Sequence, residues 1–459
     1  MTKDTVTLDA AQENLVSKDQ ITEAINHAIE IQDLKRLKTI ISKTHYADLA
    51  DYLNFANYEQ RHIIIKLLDK NTDPLILLEF DTEVLKAIID IFGMTRFASM
   101  VTKLENDDIV SLLDTLSHTL QTDILSHFSQ TQKKSILKAL SYPKNSAGIM
   151  MQTTYIAIED NKTVGDVIDY IAGNENLPED YEDIFVINKS SKPLGIIHIS
   201  KLLKHKRLTN VKSIMDKSIK VIDAFLDKED VAYTFKHYDL SSAPVVDKQN
   251  KIIGVITVDD ILDVIEEEAE EDLMRLGGVR ISDLYSALFK TTSQRFPWLF
   301  FNLLTACMIS FVISKFQQQI EQLAILAAIM PIVASMGGNA GTQSVTILIR
   351  AIVNKEITSH NTNQIVLKEI ASCSLNGLFL GLLGGMILFF LYKDPSLCLI
   401  FALAVLINFT LAGLWGTIVP LTLSKIGLDP AISSGVFVTF LTDLLGFFIF
   451  LMLASLLIL

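Results

Sequence analysis

Cysteine is scarce in this 459-residue chain: Cys307, Cys373 and Cys398 are widely spaced, and each sits in an apolar run. That usage excludes a disulfide framework and a zinc site and leaves packing as their role. Neither a Gly-x4-Gly-Lys-Ser/Thr loop nor an Asp-Lys-Thr-Gly motif occurs, which argues against phosphate-loop enzymes and pumps that phosphorylate an aspartate. A basic excess is missing too. With 40 Lys and Arg against 53 Asp and Glu the net charge is −13, so binding to a nucleic-acid backbone is not expected.

Charge of either sign is nearly absent from the last third. Between Phe296 and Leu459 six basic residues balance six acidic ones, so residues 1–295 hold 34 basic and 47 acidic residues and the whole net charge. An acidic soluble half therefore precedes an apolar half. Five apolar runs, Phe296 to Ser314, Gln322 to Ile349, Ile370 to Tyr392, Pro395 to Ser424 and Pro430 to Leu459, suit transmembrane helices. Crossing an apolar core of about 30 Å takes roughly 20 helical residues. No apolar run lies near Met1, so no secretory signal is expected and the soluble half should stay in the cytosol. Lys290, Arg295, Arg350, Lys355, Lys368 and Lys425 fall on the amino-terminal side of the spans, and Lys315 and Lys393 on the other. By the positive-inside rule, the chain is expected to be a multi-pass plasma-membrane protein, its amino terminus cytoplasmic and its carboxyl terminus outside.

Within the soluble half, Ser17 to Leu140 contains one proline, Pro74, and apolar residues recurring at three and four: Ile21, Ile25, Ile29, then Leu34, Leu37, Ile41. The spacing predicts helices, the first opened by a capping box of Ser17 and Gln20. The acidic pair Asp107 and Asp108 reads as a solvated helix start. After Pro143 the texture changes to two copies of an alternating strand and helix pattern. One copy runs from Ile149-Met150 through Val164 to Ile184-Phe-Val-Ile and Leu194-Gly-Ile-Ile-His; the other runs from Ile214-Met215 through Val231 to Ala243-Pro-Val-Val-Asp and Ile253-Gly-Val-Ile-Thr. This doubled pattern resembles a pair of CBS modules, small β/α repeats that often bind adenine nucleotides. In Gly254-Val-Ile-Thr-Val-Asp-Asp, Thr257 and Asp260 stand where the resemblance implies ribose contacts.

Six acids in seven residues, Glu266 to Asp272, follow the second copy. Like charges one turn apart repel, and carboxylates are hard oxygen ligands for Mg²⁺ or Ca²⁺, so the run suits cation sensing as well as a solvated connector. The second apolar run contains Pro331 and the small-residue stretch Gly337-Gly-Asn-Ala-Gly-Thr-Gln343, which predicts a broken helix lining a polar cavity. Close packing through small residues is the competing reading. The fifth run holds Asp443 as its only ionisable residue, near its middle, where a carboxylate costs several kcal/mol unless it meets water, a partner or an ion. Gly435, Thr439 and Asp443 repeat at four and share a helix face that can line a pore. A bond from the acid to a neighbour such as Asn408 is the alternative.

Pro-x6-Gly-Gly-Asn-Ala-Gly-Thr-Gln in the second run, Gly-Leu-Asp-Pro before the fifth and Thr-Asp-x-x-Gly within it resemble the MgtE family of magnesium transporters, as does the order of segments. The resemblance implies a multidomain membrane protein: an all-α superhelical domain (1–140), an α/β tandem CBS domain (141–263), an acidic connecting or plug helix (264–290) and five transmembrane helices (291–459). It also implies a homodimeric Mg²⁺ channel in the lipid bilayer, with Mg²⁺ flowing down its gradient and closing the pore from the cytosol. It carries over Asp443 as the pore aspartate, with Asn339 and its neighbours Gly337 and Gly338 in the second-span motif. Sensor positions carried over are Asp227, Glu229, Asp239, Asp260, Asp263, Glu268, Glu271 and Asp272, with Asp429 facing the plug helix. Ser335 departs from the glycine that relatives can carry. Two other readings fit parts of the sequence: a transporter of Co²⁺, Mn²⁺ or Ca²⁺, and a membrane-anchored CBS nucleotide sensor. The second leaves Asp443 without a purpose.

Overall fold

The computed structural model describes residues 18–69, 72–174, 177–178, 181–279 and 288–457. They divide into two compact units, 1–264 and 265–459. The first unit opens with nine α-helices among the described residues: α1 (Lys18–Glu30), α2 (Leu34–Lys43), α3 (Tyr46–Phe55), α4 (Tyr58–Leu67), α5 (Thr82–Phe92), α6 (Met94–Val101), α7 (Asn106–Thr115), α8 (His118–Leu125) and α9 (Gln130–Ala139). Helical periodicity gives each a buried stripe, so Ile25, Leu37, Leu53, Ile64, Leu85, Phe97, Leu113 and Ile136 join one core. Gln32, at φ +55°, separates α1 from α2, and Leu34 stays exposed. The expected Ser17 cap lies outside the described residues. A capping box does form at α4, where Asn57 and Gln60 satisfy each other's free amides. Pro74 opens a short 3-10 turn, Pro74–Leu77, where its missing N–H costs nothing.

Two three-stranded sheets follow. The elements are α10 (Ala147–Met150), β1 (Ala157–Glu159), α11 (Val164–Ala172), β2 (Asp183–Ile187), β3 (Pro193–His198) and α12 (Ile199–Leu202), then α13 (Val211–Ile214), β4 (Ile222–Asp223), α14 (Lys228–Tyr238), β5 (Ser242–Val246), β6 (Ile252–Thr257) and α15 (Val258–Leu276). In each sheet the first strand pairs parallel and the third antiparallel to the middle one; Gly195 faces Val186 in one, and Gly254 faces Val245 in the other. The repeat is real, but its lead-in segments are exchanged. Ala147 and Met151 pack into the core of the second sheet, while Ile214 packs into the core of the first. Gln152 bridges to Val255, and Asp216 to Ile196. The reading of Ile149-Met150 as the start of the first copy is thereby corrected: it belongs spatially to the second. The glycines allow the exchange, since a Cβ at Gly195 would lie 2.5 Å from the Asp216 carbonyl oxygen and one at Gly254 would lie 2.8 Å from that of Gln152.

The second unit holds α16 (Leu288–Ser314), α17 (Gln317–Gln322), α18 (Ile325–Val353), α19 (Thr362–Tyr392), α20 (Pro395–Lys425) and α21 (Pro430–Leu457). Five of its helices are long and apolar enough to cross a membrane: Thr291–Ser314, Ile325–Val353, Thr362–Tyr392, Pro395–Lys425 and Ser434–Leu457. Gly377 and Gly381 of α19 meet Phe409 and Ala402 of α20 so closely that side chains would collide, and Gly385 approaches Cys398 tightly, the small-residue packing available where lipid supplies no hydrophobic drive. Helix α18 packs on both α20 and α21.

Gly254→Ala is expected to lower the unfolding temperature of the detergent-purified protein, because its Cβ would lie 2.7 Å from the Met151 sulfur. Overpacking of this kind costs about 1–3 kcal/mol. An unchanged unfolding temperature would show that the lead-in is not held against β6.

Candidate functional site

The second span does not break, contrary to the sequence expectation. Helix α18 runs 29 residues through Pro331 and the small-residue stretch. Tertiary packing overrides the weak local propensity. Gly337 is filled by the Asn408 amide, Gly341 meets Val438 and Thr442, and Gly338 looks toward Asp443. The helix presents one polar face instead of a gap. Pro331, Ala334, Ser335, Gly338, Asn339 and Thr342 recur at three and four along α18 and, with Thr439, Asp443 and Phe447 of α21, line a cavity of about 420 Å³.

A Cβ on Gly338 would sit 3.4 Å from Asp443 Oδ1, an ordinary van der Waals contact, so this face of α18 lies directly against the carboxylate. Thr342 donates its hydroxyl to the Gly338 carbonyl at 3.0 Å, and Thr439 donates to that of Gly435 at 2.9 Å. Both hydroxyl oxygens keep lone pairs for the cavity. Asn408 donates to the Val333 carbonyl at 3.0 Å and, among the described residues, makes no bond to Asp443, against the suggested partnership. Among the described residues no donor or cation is bonded to the Asp443 carboxylate.

Of the expected pore residues, Asp443, Asn339, Thr439 and Gly338 converge on this cavity, whereas Gly337 is buried against Asn408 and Gly435 does not line it. The placement of Gly337 is a correction with a simple cause: adjacent residues of a helix point about 100° apart. The sequence reading missed Thr342 and Phe447, and it noted Ser335 only as a departure. A tally of polar residues at three and four around Asn339 would have found Ser335 and Thr342. Glu369 was missed because the third span was begun at Ile370; it lies inside α19, where it accepts a bond from the buried Ser344 of α18 at 3.3 Å.

The acidic positions stand in separate groups, and no three of the described His, Cys, Asp or Glu side chains form a ready-made metal cage. In the second unit, Asp429 caps the start of α21 through the Ala431 amide at 2.8 Å and pairs with Arg275 of α15, which also pairs with Glu271. Asp429 thus faces α15, with an arginine between the acids. Burial, then Asp429 and Glu268, raise the pKa of Asp272. In the first unit, Asp227 caps α14 by accepting from the Glu229 amide at 3.0 Å, and Asp239 closes the same helix in a left-handed conformation. These positions have local structural duties.

The third group corrects the solvated reading of Asp107: both acids open α7 as a helix start, but Asp107 is buried and Asp108 half-buried. Asp107 is 7 % exposed, and among the described residues its Oδ1 has no hydrogen-bond partner. Burial and then the charge of Asp260 push its pKa well up. Asp108 is raised to about 6 by burial and by Glu105, with Asp259 and Asp263 adding to the effect. Asp260 reaches about 7 through burial and the neighbouring Asp259 and Asp108, although it accepts the Thr257 hydroxyl at 2.8 Å. Helix α7 of the helical domain and the start of α15 in the second CBS module therefore bring like charges together.

A five-span membrane domain with an acid-bearing polar cavity, preceded by a helical domain and a tandem β/α pair, defines a multi-pass membrane protein of the ion-transporter class. Residues 330–453 match the MgtE model described as a divalent cation transporter, residues 44–145 the MgtE intracellular N domain, and residues 211–267 the CBS domain. The magnesium transporter MgtE of Thermus thermophilus is 27% identical over 452 residues, covering 96% of this chain and 99% of that protein. That of Bacillus subtilis is 28% identical over 394 residues, covering 86% and 87%. A crystal structure of the cytosolic domain of the Mg²⁺ channel MgtE in complex with ATP is 22% identical, covers 53% of this chain and 99% of that one, and has a TM-score of 0.49. The chain belongs to the MgtE family.

The raised acids set a pH dependence. Asp108 and Asp260 hold protons more tightly folded than unfolded, so the stability of the first unit should fall as pH rises from about 4 to about 7. In chelator, the full chain is expected to unfold at a lower temperature at pH 8 than at pH 5.5, with Asp260→Asn flattening the dependence. A steeper profile for that variant would contradict the crowding of these acids.

Proposed function

We propose that the protein is a homodimeric channel that imports Mg²⁺ down its electrochemical gradient and is closed by cytosolic Mg²⁺. The observation that carries this reading is the Asp443 carboxylate, set inside a membrane-spanning helix, bonded to no donor or cation among the described residues, and facing a polar cavity. An ionised group at that depth needs a counter-charge or water, and a passing hydrated cation supplies both. Mg²⁺ sheds water reluctantly and is held well through its hydration shell. In the proposed dimer, a second copy of the cavity closes the pore, with the two Asp443 carboxylates attracting the ion and Asn339, Ser335, Thr342 and Thr439 accepting from its waters. With the amino-terminal domains in the cytosol, an inside-negative potential drives entry by roughly 2.3 kcal/mol per charge per 100 mV.

Closure follows from repulsion among acids. Residues 1–295 carry the whole −13 charge, and Asp107, Asp108, Asp259, Asp260 and Asp263 crowd at one junction while Glu268, Glu271, Asp272 and Asp429 crowd at another. Cytosolic Mg²⁺ bridging these groups favours the compact, closed state, and its loss favours the open one. Asp227, Glu229 and Asp239 on the second CBS module are further contact points in this reading. Thr257 and Asp260, already hydrogen-bonded to each other, are the proposed ribose contacts of an adenine nucleotide. Nucleotide and cation would then share the Asp260 carboxylate.

The test is Mg²⁺ influx into liposomes that contain a Mg²⁺ indicator and little internal Mg²⁺. Wild type is expected to conduct, and Asp443→Ala to conduct at least about a hundredfold more slowly with unchanged unfolding. Combined Glu268→Gln, Glu271→Gln and Asp272→Asn should leave influx high when internal Mg²⁺ is raised, where wild type closes. A conducting Asp443→Ala variant would remove the aspartate from the pathway.

A further inference from the structure

Asn408 is fully buried in α20, at 0 % exposure, and is not part of the cavity lining. Its amide occupies the space left by two glycines on different helices. A Cβ on Gly337 of α18 would lie 2.0 Å from Asn408 Nδ2, and a Cβ on Gly446 of α21 would lie 2.6 Å from it. The same Cβ on Gly446 would also lie 3.2 Å from Ala334 Cα, so α18 and α21 approach each other closely at this point. Asn408 Nδ2 donates to the Val333 carbonyl at 3.0 Å, and Oδ1 is buried without a partner among the described residues.

An apolar side chain would fill a packing gap without desolvating an amide, and leaving a buried acceptor unpaired is costly. The residues flanking the amide suggest what that cost maintains. Gly337 precedes Gly338, which faces Asp443, while Gly446 precedes the cavity-lining Phe447 and lies one helical turn from Asp443. We propose that Asn408 is a positioning residue of the ion site: its planar amide, keyed between Gly337 and Gly446 and tied to Val333, fixes the separation of α18 and α21 that places Gly338 beside Asp443. This rests on the transport reading above and adds a determinant of selectivity. A cavity that holds Mg²⁺ through its hydration shell discriminates by its width, and Ca²⁺, with longer and more flexible coordination, gains when that width relaxes.

The test compares Mg²⁺ and Ca²⁺ influx into liposomes for wild type, Asn408→Ala, Gly446→Ala and the double variant. Each single change is expected to raise the Ca²⁺-to-Mg²⁺ flux ratio about tenfold, as ångström-scale misplacement of a site does. In the double variant the new methyl group escapes the amide but keeps its 3.2 Å approach to Ala334 Cα and lacks the tie to Val333, so its ratio should stay as high as that of Asn408→Ala. A merely structural role would scale both fluxes together and leave the ratio unmoved. That outcome overturns the proposal, as does a double variant whose ratio returns to that of wild type. Should Asn408→Ala fail to fold, Asn408→Ser keeps a donor for Val333 while vacating the space, and its ratio is held to the same expectation. Wild type that passes no Mg²⁺ would overturn the transport reading itself; wild type that conducts beside variants with unaltered ratios would overturn only the role of Asn408.

Discussion

A carboxylate placed halfway along a membrane-spanning helix forces the structure around it to provide space, dipoles and a route for water. Asp443 meets that constraint with no cation or donor among the described residues: Gly338 lies against it, Asn339, Ser335 and Thr342 bring polar groups to the same face of α18, and Thr439 does so one turn away on α21. Removing a carboxylate from water costs several kcal/mol. The small residues of α18 serve two masters. Gly338 faces the acid, whereas Gly337 and Gly341 let the neighbouring helices approach, so one stretch of sequence supplies both a polar cavity and the packing that holds it.

Outside the spans the same chemistry recurs in a form that suits regulation. Asp107, Asp108 and Asp260 have pKa values pushed upward by burial and by one another, a sign that the folded arrangement opposes their full ionisation. At α15 the acids are partly answered by Arg275, which pairs with both Glu271 and Asp429. A resident guanidinium there sets a threshold in the proposed mechanism, because Mg²⁺ must share or displace an existing counter-charge. At the junction around Asp107 the upward shifts come from burial and from neighbouring acids.

Much of this was legible from residues. Five spans, the doubled β/α pattern and the exposed chemistry of Asp443 follow from hydropathy, repeat spacing and the cost of an intramembrane charge. What escaped has physical causes. The continuity of α18 was hidden because proline and glycine report local propensity, while Asn408, Val438 and Thr442 supply tertiary packing. Asp107 and Asp108 do open a helix, but the burial of Asp107 escaped because Asp260, its neighbour in charge, is far along the chain. The exchange of lead-in segments between the CBS modules left only two glycines as its trace, and Gly195 and Gly254 do not reveal which segment crosses which strand.

In the proposed dimer, the cavity between α18 and α21 is half of a pore completed by a second copy. Thr439 lines that cavity one turn from Asp443. In a chain with Cys307, Cys373 and Cys398 replaced by alanine, Thr439→Cys should become cross-linked to its twin on oxidation in native membranes and migrate as a covalent dimer. The same substitution at Leu382, on the apolar surface between α19 and α20, should not. A chain that stays monomeric at position 439 while other evidence shows intact, conducting protein would contradict a two-fold pore at Asp443.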